Sequence, residues 1–160
     1  MLWHGPEAPP GTTGPCRFRW RNGFPGIVQQ AAMSSMIVKR SVSSYSDTME
    51  ALLAAIERRG LRLFARIDHA AAAHDAGLEL EEEEVVLFGN PSGGTPLMQS
   101  DRSVGIELPL RILVWREGER TLLGHGDPRD LSDAYSLSEH TAVLEQMANL
   151  LEQLVVEAAS

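Results

Sequence analysis

The apolar residues change period along this chain, and that change limits the folds open to it. Met49, Leu52, Leu53 and Ile56 recur at helical spacing and define one face of an amphipathic helix. Leu61, Leu63, Ala65 and Ile67 then alternate with Arg62, Phe64, Arg66 and Asp68, the period of a strand with one buried face. Val85 to Phe88 is an unbroken apolar run, as a central strand would be. Leu110 to Trp115 and Thr121 to Leu123, with Gly118 between them, predict a hairpin. Val143, Met147, Leu150, Leu151, Leu154 and Val155 return to helical spacing on a long last helix, with Ser138 as its expected cap. With Ile37 and Val38 opening a first strand, the order is strand, helix, about four strands, long helix. A single antiparallel sheet with helices packed on one face, an α+β domain, satisfies that order.

Smaller signals fix the joints. Ser44 and Asp47 have capping-box spacing ahead of the first helix, and Gly60 stands where its left-handed cap belongs. Asp68 can cap an alanine-rich turn over His69–Ala76 that Gly77 closes. Glu81 to Glu84 predict a solvated approach to the next strand. The glycines and prolines of residues 89–109 predict a segment that is mostly loop. Asp127-Pro128 opens a helical turn.

Residues 1–35 differ from the rest. Prolines 6, 9, 10, 15 and 25 and glycines 5, 11, 14, 23 and 26 interrupt any regular element. The segment is expected to be either a disordered extension or a stretch upstream of a true start at Met33 or Met36, the second being preferred. The single domain is expected over residues 36–158.

Charge follows the same division. Arg17, Arg19 and Arg21 against Glu7 give the first 35 residues +2, so of the total of −8 the remainder carries −10. Such an acidic domain argues against binding nucleic acid through phosphates, or binding an anionic membrane surface. Cys16 is the only cysteine, which excludes an intrachain disulfide or a multi-cysteine metal site. No apolar run approaches the roughly 18 residues of a membrane span. A cytoplasmic protein is the resulting expectation.

Phe88-Gly89-Asn90-Pro91-Ser92-Gly93-Gly94-Thr95-Pro96-Leu97-Met98 follows the apolar strand directly. A glycine-rich loop there can hold an anion on backbone N–H groups or form a plain turn. It lacks the Gly-Lys-[Ser/Thr] of a phosphate-binding P-loop and the spacing of a dinucleotide fingerprint. Asp68-His69, with His74 beyond, suggests acid–base or metal chemistry, but His69 and His74 lie about 500° apart on a helix and so share no face. There is no His-Glu-x-x-His and no Gly-x-Ser-x-Gly. His125 and His140 are expected at the surface. No catalytic nucleophile, metal or cofactor is expected.

Phe64-Ala65-Arg66-Ile67-Asp68-His69, Leu87-Phe88-Gly89-Asn90-Pro91, Gly94-Thr95-Pro96-Leu97-Met98 and Gly105-Ile106-Glu107-Leu108-Pro109-Leu110 together resemble the bacterial domain-of-unknown-function family 302. The likeness runs from about Met36 to Ala158 and includes Asp127-Pro128. It implies a TATA-binding-protein-like fold in β-α-β4-α order, with dimerisation, and does not imply DNA binding. One departure is Leu122-Leu123-Gly124-His125-Gly126, where relatives carry an aromatic before the Asp-Pro.

The leading expectation is a small-molecule-binding domain whose site is bounded by Asp68, His69, Asn90, Thr95 and Met98. Two alternatives stand beside it. One is an enzyme using His69 as acid–base, oriented by Asp68. The other is a structural or interaction protein acting as a homodimer.

Overall fold

The computed structural model describes residues 36–160. The expectations for the N-terminal segment therefore lie outside the described residues. Strands β1 (Ile37–Arg40), β2 (Arg62–Asp68), β3 (Glu83–Gly89), β4 (Leu110–Glu117) and β5 (Arg120–His125) form one sheet in the order β1-β5-β4-β3-β2. Every neighbouring pair is antiparallel. Helices α1 (Tyr45–Arg58) and α5 (Thr141–Ala158) cover one face, with α2 (His69–Asp75), α3 (Pro91–Ser100) and the short α4 (Leu131–Ala134) at the joints. The α+β architecture read from the sequence is the observed one.

Strand pleating assigns the core. Val86 and Phe88 of β3, Ile112 and Val114 of β4 and Leu123 of β5 point to the helical face, where Leu52 and Ile56 of α1 and Leu151 and Leu154 of α5 meet them. Ser44 caps α1, its hydroxyl accepting the Asp47 N–H at 3.2 Å, and Gly60 ends it at φ +63°. Gly118 turns the β4–β5 hairpin at φ +60°.

Five local expectations are corrected. The buried face expected of β2 is not buried, because β2 is an edge strand: Leu63 and Ile67 are 43% and 44% exposed. Glu83 and Glu84 belong to β3 and not to a solvated approach; Glu84 is 5% exposed and held by both Arg66 nitrogens Nε and Nη2. Residues 91–100 are helical despite two glycines and two prolines. Ser138 does not cap α5, since residues 138–140 form a 3₁₀ turn and α5 starts after His140 without a side-chain cap. His125, the last residue of β5, is buried with its Nδ1 2.8 Å from the Gly126 carbonyl; His140, by contrast, is partly exposed as expected, with Nε2 2.6 Å from the Ser100 hydroxyl.

Helix α3 shows why propensity failed there. Gly and Pro inside a helix cost about 1 and 3 kcal/mol relative to Ala. Against this, Pro91 occupies the first turn, where its missing N–H is harmless. Asn90 caps the helix, its Oδ1 accepting the Ser92 N–H at 2.9 Å. Leu97 is fully buried with Val104, Leu137 and Leu144 in a second hydrophobic cluster. Tertiary burial of Leu97 outweighs the poor local preference.

Candidate functional site

The two hydrophobic clusters do not close completely against each other. Met147 of α5 packs against both, and beside it lies a half-open cavity of about 320 Å³. Its walls come from the end of β3 (Gly89, Asn90), from α3 (Pro91, Gly94, Thr95, Met98) and from the entry to β4 (Leu108, Pro109, Leu110). Phe64 of β2 completes the rim. The β2–β3 register shifts between Leu63 and Ala65, and the extra residue at this bulge is Phe64, whose ring edge would lie 3.9 Å from a Cβ placed on Gly89.

Missing side chains keep the space open. A Cβ on Gly94 would lie 3.4 Å from Leu108 Cδ1, and one on Gly93 would lie 3.9 Å from Met147 Cε. Met98 and Met147 add flexible, polarizable thioethers, the side chains best able to adapt to an irregular apolar ligand. Among the described residues no charged side chain lines the cavity; Asn90 and Thr95 supply its side-chain polarity. The anion-cradle reading of this glycine segment is not met. The Ser92 N–H is taken by Asn90 Oδ1, and the Gly93 and Gly94 N–H groups by the Asn90 carbonyl, at 2.9 and 3.2 Å.

Three of the five expected site residues, Asn90, Thr95 and Met98, thus share one cavity. Asp68 and His69 do not join them. Antiparallel register pairs Asp68 with Glu84 at the start of β3, whereas Asn90 follows Gly89, the partner of Arg62 at the far end. Five residues of strand, about 17 Å, lie between the two joints. The Asp68 carboxylate is also engaged, accepting the Ala71 N–H at 2.8 Å as the cap of α2.

That distant end of the sheet is where charge collects. Burial, and then the carboxylates of Glu84, Asp68 and Glu82, push the Tyr45 hydroxyl up to about 12. Among the described residues no cluster of three or more His, Cys, Asp or Glu is arranged to hold a metal.

Apart from Met147, the cavity walls fall within the sequence runs that carried the family likeness. The model of DUF302, a domain of unknown function, matches residues 37–154. The chain belongs to this family. A crystal structure of an uncharacterized conserved DUF302 protein from Bacillus stearothermophilus superimposes with a TM-score of 0.61 over 78% of this chain and 94% of that one, at 18% identity. That likeness supports the fold alone. Among curated proteins, a "Fluoride-specific ion channel FluC 1" of Brucella suis is 39% identical over 105 residues, covering 65% of this chain and 41% of that protein. Its namesake in Brucella abortus matches at 39% over 105 residues, 39% of its length. The chain therefore spans about two-fifths of the curated relatives it matches. Among the described residues no helix is long and apolar enough to cross a membrane.

Sequence reasoning missed Phe64, Leu108, Pro109, Leu110 and Met147 as cavity walls. Phe64 did carry a signal, because it occupies the polar phase of the β2 alternation. Met147 carried none, since on an amphipathic helix it is indistinguishable from any other core position.

Proposed function

We propose that this DUF302 domain binds a small, predominantly apolar molecule in the cavity beneath α3, without catalysing a reaction. The observation that carries the reading is the cavity itself: about 320 Å³, walled by aliphatic, thioether and aromatic groups with Asn90 and Thr95 at hand to orient a ligand. The acid–base alternative loses support, because Asp68 serves as a helix cap and His69 lies at the other end of the sheet from the cavity. The channel named in the Brucella relatives belongs to chains of which the match is under half, and the present reading rests on the cavity. The proposed setting is the cytoplasm, in keeping with the acidic composition.

Decanol, which is uncharged and has a flexible apolar body, is a suitable probe. Calorimetric titration should detect binding to wild type and at least a tenfold loss in Thr95→Trp, where an exposed position at the rim gains a ring that fills the opening. Equal binding by both proteins, or none by wild type, would remove the cavity from the account.

One observation favours a second reading, homodimerisation. The strand residues that alternate with the core ones, Val85, Leu87, Leu113, Trp115 and Leu122, face away from α1 and α5 and are only half-buried. Light scattering after size exclusion should then give twice the chain mass, reverting to one chain in Leu113→Lys. A monomer at high concentration excludes this reading.

A further inference from the structure

Resting on the cavity reading, we propose that the ligand is an amphipathic anion, its apolar body in the cavity and its carboxylate or other acidic head met by Arg62. Arg62 pairs across the sheet with Gly89, a cavity wall, and its guanidinium carbon stands 5.1 Å from the centroid of the Phe64 ring, another wall. This cation–π contact holds a positive charge at the rim of an otherwise uncharged site. Arg62 is exposed and makes no ion pair among the described residues. Arg58, Arg59, Arg66, Arg111, Arg116, Arg120 and Arg129 are each held by a carboxylate, whereas Arg40 of β1 and Arg102 after α3, like Arg62, make no ion pair among the described residues.

Two further features direct an acidic head to Arg62. The first-turn N–H groups of α3 at Ser92, Gly93 and Gly94 are already bonded to Asn90, so the helix end offers no competing anion site. The domain as a whole is acidic, which leaves an unpaired arginine beside the opening as the local exception. A guanidinium is also well matched to a planar carboxylate, because its N–H groups form a fork that can donate two parallel hydrogen bonds.

The test compares decanoate with decanol on wild type and Arg62→Gln, below micelle-forming concentrations and at low ionic strength. Arg62→Gln should leave decanol affinity unchanged and weaken decanoate by roughly threefold or more, the scale of an exposed ion pair. In wild type the decanoate advantage should shrink as salt is added. Decanol binding to wild type with the same decanoate-to-decanol ratio in both proteins would overturn the Arg62 assignment and leave the cavity reading standing. So would decyltrimethylammonium binding as tightly as decanoate. Failure of decanol to bind wild type would overturn the cavity reading and this inference together.

Discussion

Helix α2 leaves one end of the β2–β3 pair with four consecutive alanines and buries no residue, whereas α3 leaves the other end with two glycines and two prolines and buries Gly94 and Leu97. Both are capped where the preceding strand ends, α2 by Asp68, the last residue of β2, and α3 by Asn90, the residue after β3. Local preference favours α2 and disfavours α3. Yet the helix with the poor preference forms the wall of the cavity, because a helix short of side chains leaves room between its backbone and the core. Charge divides in the same direction: Arg66, Asp68, Glu82 and Glu84 all act on Tyr45 at the α2 end, while Arg62 stacks on Phe64 at the cavity rim.

The contrast is tested most severely at Leu97. Leu97→Ala should cost about 2–5 kcal/mol in chemical denaturation, since it empties the second core and removes what holds α3. The matching change in α2, Ala72→Gly, should cost about 1 kcal/mol or less. Comparable losses from the two would mean that α3 does not depend on burial.

The caps come next. Asn90→Ala and Asp68→Ala should each cost about 1 kcal/mol, but only Asn90→Ala should weaken decanol binding. Gly93→Ala should raise stability by about 0.5–1 kcal/mol, because Ala has less backbone freedom than Gly to lose on folding. A loss there would show that α3 needs the glycine for more than open space.

The effect at the charged end appears only at high pH. Tyr45 has its pKa raised from 10.0 to about 12, so the folded state favours the neutral phenol. Its contribution to stability is therefore complete below pH 10 and lost as the pH rises through about 12. Ultraviolet titration should show late ionisation of Tyr45. Tyr45→Phe should flatten the fall in stability over that interval.

Much of the fold was legible because it rests on period. The α1 and α5 faces, the β4–β5 hairpin, the left-handed cap at Gly60 and the chain turns at Gly77 and Gly118 were each stated by local pattern. Helix α3 was not, because its reason to exist, the burial of Leu97 against Val104, Leu137 and Leu144, is contact between distant segments. Glu84 was misjudged for the same reason: a run of glutamates says nothing of Arg66 across the ladder. The walls of the candidate cavity were legible in part. Asn90, Thr95 and Met98 lie close in sequence and share one wall, but placing Asp68 and His69 with them ignored strand direction. Two joints at opposite ends of an antiparallel strand pair cannot meet.

Methyl NMR on protein carrying ¹³C-methyl methionine, titrated with decanol, tests the cavity most directly. Met98 and Met147 line it, Met49 lies in the main core, and Met36 lies beside Gly124 and away from the cavity. The account predicts that the Met98 and Met147 methyl signals move together and saturate while those of Met49 and Met36 hold still. Movement of Met36 alone, or no movement of any methionine at concentrations where calorimetry detects binding, would contradict it.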